Sequence, residues 1–456
     1  MTLDMDYSLR KFTGLLQIVM LVVSSSFILN FLFPAYAMQP LLPEFEPTKH
    51  VSSNPNLFVS AENSFFKNYF AGPQVIEVIV IDPDIKRLDQ AYGEPVVTIN
   101  GKRLHMAQAT DGNWYAYFAD RDQAIAAGNT VVITGKGLNF GGFCNSSSTT
   151  SPKAGVNYGE TKGFTIARGG FGSFNHTSNG VLTKDNLPAC TNTPGTLTAK
   201  QMEHVVRENK TLNSNINGFN AGSVYTSLWP IIQLYDFSGF PQTVTVQYDK
   251  AGRSQLVNLV FDRIPSSVIT PVGNRPDFPR GAEVQLDLID PQLNIDPTEE
   301  DSWTWGTSPR NNTLYYQTFD RNGNPDADGT PAMQNLAGNL TTFMFNHNGL
   351  LTFENANGLL AKLQSNGIQK LIPDPSLPPP LNQVDLRTQS ITGISLPITL
   401  AEVQPNVGIF GDYDTGGIAD VKILLKAPRG KSMAMSYNDN SFSLVVKFHT
   451  ATLTMG

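Results

Sequence analysis

The chain has 456 residues, of which only 16% are Asp, Glu, Lys or Arg, against about 25% in ordinary soluble domains. Asn, Thr, Ser and Gln, with 38 Gly and 30 Pro, replace the missing charge, which argues against a helical cytosolic enzyme and favours a turn-rich, all-β extracellular protein. The net charge of −7, from 39 acidic and 32 basic residues, argues against a nucleic-acid partner, because such proteins carry a basic surplus.

The first 37 residues have the features of a secretory signal. Arg10 and Lys11 precede an apolar stretch over 12–33, and an A-x-A cleavage site ends at Ala37. We therefore expect residues 1–37 to be removed on export, which makes the mature protein extracellular. The alternative is a retained anchor, because the apolar stretch is long enough to span a bilayer. A membrane contact is expected only through this segment.

Residues 38–69 begin with closely spaced prolines and predict an extended tail. A first β-domain is predicted over 70–265. Its first strand is the β-branched run 75–81, and the turn Asn100-Gly101 is typical of a two-residue hairpin. The other strands are predicted at 96–99, 102–108, 114–118, 130–134, 231–235, 243–248 and 255–261.

Between residues 135 and 215 the chain is rich in Gly, Ser, Thr and Asn, which predicts a long irregular insertion. Both cysteines, Cys144 and Cys190, lie in it, and outside the cell such a pair is expected to form a disulfide. In the loop-entropy model this bond contributes about 4 kcal/mol. One helix is predicted from a capping box at 198–201.

A second β-domain is predicted over 266–456. Residues 265–279 contain four prolines and predict a linker, and residues 302–391 predict another irregular insertion. Strands are predicted at 283–289, 398–403, 421–425, 432–437 and 442–448. Each domain opens with a strand that ends in Asp-Pro, at Asp82-Pro83 and Asp290-Pro291. The pattern favours tandem immunoglobulin-like β-sandwich domains, with some indication that one module has been duplicated.

One loop has the ligand spacing of a calcium site. Oxygen-bearing side chains occupy every second position, and calcium accepts six to eight oxygen ligands. The candidate ligands are Asp320, Asn322, Asn324, Asp326 and Asp328. The alternative is a solvated Asn/Asp/Gly loop without metal, because no bidentate Glu stands at the twelfth position.

Two further acidic groups follow the Asp-Pro pairs: Asp82, Asp84 and Asp89, and then Asp290, Asp296, Glu299, Glu300 and Asp301. Calcium bound there could stiffen a sheet end or a domain junction. Paired carboxylates beside Trp303 and Trp305 could alternatively form a glycosidase site with a sugar-stacking platform, although tryptophans in a sandwich are more often core residues. Scattered histidines and the absence of a G-x-S-x-G motif favour a non-catalytic protein.

Five N-x-S/T sequons are candidates for glycosylation, and all lie in the predicted irregular segments. They are at Asn145, Asn175, Asn209, Asn311 and Asn339.

Several longer strings are specific to one family. They are 72–84, 93–101, 106–120, 279–284 and Leu293-Asn-Ile-Asp-Pro-Thr-Glu-Glu-Asp-Ser-Trp-Thr-Trp-Gly306, with a further block over 398–446. These strings resemble the S-layer proteins of ammonia-oxidising thaumarchaea, and the last block resembles the sandwich pattern that recurs in them. The resemblance implies immunoglobulin-like domains, secretion and a lattice on the cell surface, where divalent cations and glycans are common. The chain is short for this family, so we expect a short or truncated member.

We therefore expect a structural, non-catalytic protein of an archaeal S-layer, or an accessory to one. Its expected partners are further copies of itself or other S-layer subunits, together with cell-surface glycans. The alternative is a secreted module that binds glycans or a larger S-layer protein. A secreted glycoside-active enzyme is the third hypothesis.

Overall fold

The computed structural model describes residues 55–89, 93–131, 137–146, 158–167, 181–188, 204–208, 210–213, 229–250, 252–308, 311–317, 335–345, 349–354, 360–362, 397–413, 419 and 421–447. These residues belong to one compact unit that covers 45–456. The predicted signal over 1–37 lies outside them. Within these ranges no helix is both long and apolar enough to cross a membrane.

The fold is predominantly β, as the composition predicts. The N-terminal half, which we define as residues 55–261, contains β1 (Leu57–Val59), β2 (Tyr69–Phe70), β3 (Ile76–Val80), β4 (Val96–Ile99), β5 (Lys102–Leu104), β6 (Ala107–Gln108), β7 (Trp114–Asp120), α1 (Arg121–Gly128), β8 (Gly142–Cys144), β9 (Phe164–Ile166), β10 (Ile231–Tyr235), β11 (Gln242–Lys250) and β12 (Arg253–Phe261).

The described part of the C-terminal half, which we define as residues 270–447, contains strands and short 3-10 turns. It contains β13 (Thr270–Gly273), β14 (Asp277–Phe278), β15 (Glu283–Val284), β16 (Leu286–Ile289), β17 (Ser302–Ser308), β18 (Asn311–Gln317), β19 (Leu351–Glu354), β20 (Leu360–Lys362), β21 (Pro397–Glu402), β22 (Ile409–Gly411), β23 (Val421–Ile423), β24 (Ser432–Tyr437) and β25 (Asn440–Val446).

These strands form five sheets. Sheet 1 has the order β1-β3-β7-β10-β9-β8, with β6 also paired to β7, and sheet 2 has the order β2-β12-β11-β4-β5. Sheet 3 runs β13-β16-β22-β21-β17-β18, sheet 4 runs β14-β25-β24-β19, and sheet 5 runs β15-β23-β20. Each sheet therefore takes its described strands from one half of the chain.

The two halves begin and end in the same way. The first strand of each half pairs antiparallel with a long buried strand, as β1 does with β3 and β13 does with β16. The second strand then crosses to the other sheet and pairs in parallel with the last strand, as β2 does with β12 and β14 does with β25. The last two strands form an antiparallel hairpin in both halves.

Alternating side chains explain how sheet 2 covers the core of the N-terminal half. In β12 the residues Leu256 and Asn258 face outward, whereas Val257 and Leu259 are buried, as expected for a strand with one solvated face. The buried face packs on β3 and β7 of sheet 1, in a cluster that includes Phe70. The turn Asn100-Gly101 has positive φ at both residues, which fits the predicted hairpin.

Several local predictions are wrong. The chain joins the sheets from residue 57, inside the predicted tail, and the predicted linker over 265–279 contains β13 and β14. Pro271 is tolerated there because β13 lies at the edge of its sheet. The segment 302–391, predicted to be irregular, contributes β17 and β18. Strands β8 and β9 lie within the other predicted insertion.

The predicted helix near residue 198 does not extend over Val205 and Val206, which have no helical structure. The structure instead has α1 at 121–128, where the carboxylate of Asp120 accepts a hydrogen bond from the backbone N–H of Gln123. This is an N-cap contact that the sequence analysis missed.

Candidate functional site

A short segment from the first predicted insertion is buried between the two halves. We call residues 204–208 and 210–213 the strap. Val205 and Val206 are completely buried. Backbone hydrogen bonds tie the strap to the N-terminal half: Val205 N–H donates to Asn139 O at 2.8 Å, and Asn213 N–H donates to Gln108 O at 2.9 Å. The strap is therefore a fixed part of the N-terminal half that faces the C-terminal half.

Arg207 of the strap reaches into an acidic cluster of the C-terminal half. Its side chain is 4% exposed, its Nη2 donates to the backbone carbonyl of Glu300 at 2.7 Å, and it lies 3.4 Å from carboxylate oxygens of both Asp296 and Asp301. Its backbone N–H also donates to Asp296 at 2.9 Å. Burying a charge without such partners costs several kcal/mol, so the cation and the acids depend on each other.

The acids of this cluster are held by further hydrogen bonds. Asp301 accepts the hydroxyl of Tyr316 at 2.6 Å, the backbone N–H of Asp296 at 2.9 Å and the backbone N–H of Ile295. Glu402 accepts the backbone N–H groups that follow it at 407 and 408, at 2.8 and 2.7 Å. Glu402 and Asp301 are also joined by backbone contacts, since the N–H of Glu402 donates to Asp301 O at 2.8 Å.

Burial sets the protonation of this cluster. Desolvation raises the pKa of Asp301 to about 7, although Arg207 partly offsets it. Desolvation and the neighbouring Asp301 together raise the pKa of Glu402 well above its ordinary value, and burial also raises the pKa of Asp296. The guanidinium of Arg207 therefore faces two carboxyl groups, Asp296 and Asp301, and Glu402 lies beside Asp301; all three acids hold protons more tightly than free acids do.

A second ionic group lies on the other side of the strap, against sheet 1. The Nζ of Lys210 lies 2.8 Å from Glu208 and 3.1 Å from Glu77 of β3. The hydroxyl of Tyr117 on β7 donates to Glu77 at 2.9 Å and also contacts Glu208. The Lys210 ammonium lies 4.4 Å from the ring centroid of Tyr115, a cation–π distance.

The two halves also touch directly, beside the strap. The side-chain amide of Gln74 donates to the carbonyls of Pro291 and Asn294, at 2.7 and 2.9 Å. The backbone N–H of Val75 donates to Ile295 O at 3.0 Å. Gly408 has a φ of +65°, and a Cβ there would lie 2.8 Å from Pro291 Cα of its own half and 3.2 Å from the Phe66 ring of the N-terminal half, so the packing at this point requires glycine. One hydrophobic cluster contains residues of both halves.

The two Asp-Pro pairs form matching corners. Asp82 accepts the backbone N–H two residues ahead at 3.0 Å and caps a 3-10 turn, and Asp290 does the same at 2.9 Å. A tyrosine from the second-to-last strand of each half donates to the corner carboxylate, Tyr248 at 2.6 Å and Tyr437 at 2.8 Å. The matching caps and tyrosine partners are further signs of the module duplication that the two Asp-Pro pairs indicate in the sequence.

The environments of the corners differ. Lys250 lies 2.7 Å from Asp82 and 3.0 Å from Asp84. Burial alone would raise the pKa of Asp82, but hydrogen bonds from Lys250 and Tyr248 outweigh it and lower that pKa. Asp290 is fully buried, and its described polar contacts are Tyr437 and a backbone N–H, so desolvation raises its pKa to about 7.

The predicted calcium ligands Asp320, Asn322, Asn324, Asp326 and Asp328 lie outside the described residues, and calcium stays a prediction there. Elsewhere the acids predicted as further calcium sites have protein partners: Arg207 beside Asp296 and Asp301, and Lys250 beside Asp82. The described ranges contain no group of three or more His, Cys, Asp or Glu side chains arranged to hold a metal.

The sugar-stacking platform is wrong, and the core alternative is confirmed. Trp303 and Trp305 are 1% and 0% exposed. Their indole N–H groups donate to backbone carbonyls, of Leu293 at 2.8 Å and of Gly349 at 3.1 Å. Neither ring is available to a ligand.

Cys144 is buried in β8 and is disulfide-bonded; the only other cysteine of the sequence, Cys190, lies outside the described residues.

Among the sequons, Asn145 is half-buried and its Nδ2 donates to Leu187 O at 3.1 Å. Asn311 opens β18 and Asn339 lies half-buried in a 3-10 turn. Asn175 and Asn209 lie outside the described residues. Glycosylation stays a prediction.

No protein-family model matches the chain, and no curated protein matches it either.

Sequence reasoning missed the strap, whose chemistry lies in Arg207, Glu208 and Lys210. The charged run was a weak local signal, because most charge runs are solvated. The stronger signal was the pair of apolar neighbours Val205 and Val206, whose spacing predicted the buried face of an amphipathic helix.

Proposed function

We propose that the protein is a non-catalytic structural protein of the cell surface, a component of an S-layer lattice or an accessory to one. We further propose that each half is an immunoglobulin-like sandwich. In such sandwiches strands A, B and E share one sheet and strands C, F and G share the other. The orders β1-β3-β7 with β4-β11-β12, and β13-β16-β22 with β19-β24-β25, support this assignment.

The observation that carries the functional proposal is the strap. Buried charges of one half are compensated by the other half, at Arg207 with Asp296 and Asp301. Such cross-compensation makes the two halves one stiff block, which suits a repeating subunit of a surface layer better than a hinged enzyme. The strongly shifted carboxyl groups have structural partners here, so they support a structural role and not acid–base catalysis.

Export and the expected surroundings belong to the same proposal. The disulfide at Cys144 supports an oxidising, extracellular location, since such bonds are rare in the cytosol. Calcium at 320–328 and glycans on the sequons would act between copies or at the outer face. Further copies of this chain, or larger S-layer subunits, are the proposed partners.

Self-association tests the proposal. We expect the purified chain without residues 1–37 to form ordered two-dimensional arrays or large oligomers when calcium is added, seen by negative-stain electron microscopy and by sedimentation. An accessory would instead stay monomeric alone and sediment with isolated cell envelopes through a larger lattice protein. A chain that stays monomeric and also fails to bind envelopes would contradict both forms of the proposal.

A further inference from the structure

The ionic group formed by Lys210, Glu208 and Glu77, on the sheet 1 side of the strap, contains the functional groups needed to form an amide bond. It has an amine, Nζ of Lys210, and two carboxyl groups within 3.1 Å of it, Glu77 and Glu208. It also has a hydroxyl, that of Tyr117, which donates to Glu77 at 2.9 Å. We propose that Lys210 and Glu77 join in an intramolecular isopeptide bond, which covalently ties the strap to β3.

The positions of the groups assign their roles. Tyr117 donates to Oε1 of Glu77, the same oxygen that faces Lys210, so it polarises the carbonyl and stabilises negative charge on that oxygen during attack. Glu208 accepts from the backbone N–H of Lys210 as well as from its Nζ. The Glu208 carboxylate is thereby held beside the amine, in position to carry protons.

Burial limits the access of water to the reacting groups. The side chains of Glu77 and Glu208 are 11% and 2% exposed, so little water competes at the carbonyl. Desolvation raises the pKa of Glu77, although Lys210 opposes it, and this favours the neutral acid, the form that can be attacked. Fixed neighbours react as if present at effective concentrations of about 10⁵ M or more, which offsets the unfavourable loss of water.

The step balances without an oxidant or a co-reactant. One proton of the Lys210 ammonium moves to Glu208, and the neutral Nζ attacks Cδ of Glu77. The C–N bond forms and the C–O bond to the Glu77 hydroxyl breaks. A second amine proton reaches Glu208, which passes its first proton to the departing hydroxyl, and water leaves. The products are the amide, one water molecule and protonated Glu208, which returns its proton to solvent.

The chain offers a matched control in Lys250. Its Nζ also lies close to two carboxylates, Asp82 at 2.7 Å and Asp84 at 3.0 Å, and its exposure of 29% matches the 31% of Lys210. The second carboxylate, Asp84, is 76% exposed, and hydrogen bonding lowers the pKa of Asp82. The lowered pKa keeps Asp82 in its carboxylate form, which resists attack, and water has access to Asp84, so we expect Lys250 to remain a free amine.

Mass spectrometry of the purified, reduced full chain tests the proposal. We expect an intact mass lower than the sequence mass by one water molecule, after allowing for any removed signal. We also expect a protease digest to contain a branched peptide that joins Glu77 to Lys210, whereas the Lys250 peptide is linear. Recovery of unmodified Glu77 and Lys210 peptides, or a link from Lys210 to Glu208, would overturn it.

Two variants separate the roles. Lys210→Arg keeps the positive charge and should restore the full mass. Glu208→Gln keeps the shape but removes the proton carrier, and should leave most of the protein unlinked. Both are measured on the fraction that elutes as folded protein in size exclusion. A link formed at the wild-type level in Glu208→Gln would contradict the role of Glu208.

Discussion

The Asp82 and Asp290 corners share a backbone turn, a proline and a tyrosine partner, yet the pKa values of their carboxyl groups shift in opposite directions. Asp82 has Lys250 at 2.7 Å, and its pKa is lowered. Asp290 is fully buried, and its pKa is raised to about 7. The local motif therefore fixes the geometry of the corner, whereas the surroundings of the carboxylate decide its protonation.

The two halves also differ in the origin of the basic side chains that neutralise their buried acids. The N-terminal corner is neutralised by Lys250 of its own half. The acids that follow the C-terminal corner, Asp296 and Asp301, obtain Arg207 from the other half. The C-terminal half therefore depends on the N-terminal half for a buried charge, whereas the described contacts of the Asp82 carboxylate all come from its own half.

The largest effect is expected from Arg207→Ala, which breaks this dependence. Removing one partner of a buried ion pair costs about 3–5 kcal/mol because the remaining charges are left uncompensated. Urea denaturation should therefore give a much lower midpoint, with the C-terminal half unfolding first. Arg87→Ala is the control, since Arg87 and its partner Asp89 are both exposed. Equal midpoints for the two variants would contradict the role of Arg207.

The pH dependence of stability sharpens the contrast between the corners. The folded-state pKa of Asp290 is about 7, above its ordinary value of 3.8, so its protonated form stabilises the fold below that value. This contribution is lost as the pH rises through about 7, by about 1.4 kcal/mol per pH unit between the two values. Melting temperatures should therefore fall from pH 5 to pH 7 through this group.

Substitution by asparagine identifies the group responsible. Asp290→Asn should reduce the decline in melting temperature between pH 5 and 7, and part of the decline should remain because the pKa of Asp301 is also raised to about 7. Asp82→Asn should leave the slope in this range unchanged, because the lowered pKa of Asp82 moves its loss of stabilisation to acid pH, below about 4. Identical slopes for Asp290→Asn and the wild type would refute the assignment.

The tyrosine partners provide a smaller, matched comparison. Tyr437→Phe removes the hydroxyl that donates to the fully buried carboxyl group of Asp290. The loss of this hydrogen bond should cost about 1–3 kcal/mol. Tyr248→Phe removes the equivalent hydroxyl, but Asp82 retains Lys250, so we expect a smaller loss. Chemical denaturation of both variants at pH 6 measures the difference. A larger loss for Tyr248→Phe would reverse the comparison.

The smallest effect is expected from Lys250→Ala. The ammonium lies at the surface, where solvent and salt screen its attraction to Asp82 and Asp84. The melting temperature should change less than in Arg207→Ala, Tyr437→Phe and Tyr248→Phe, and the change should shrink further in high salt. A decrease comparable to that of Arg207→Ala would show that this pair is not screened.

Much of the sheet architecture was predictable from local pattern. The β-branched run in β3 and the alternation in β11 and β12 indicated strands that the structure contains. Strands β17 and β18 were missed because their Ser, Thr, Asn and Gly residues resemble those of loops, although the hairpin buries large side chains such as Trp303, Trp305 and Leu314.

The strap was not predictable, because its meaning lies in long-range pairs. Arg207 and its partners Asp296 and Asp301 are separated by 89 and 94 residues along the chain. The spacing of hydrophobic residues along the sequence gives no information about such a long-range contact. The Asp-Pro parallel was visible in the sequence, but the pattern did not reveal which carboxylate would lie beside a lysine and which would be buried without one.

The parallel pairing of β2 with β12 and of β14 with β25 has a mechanical consequence. Because the two paired strands of each half run in the same direction, tension between the entering and leaving ends of the chain pulls them past each other along their length. Their hydrogen bonds would then have to break together by sliding, not one after another by peeling. In both halves, resistance to stretching is thus provided by the pairing of the second strand with the last strand.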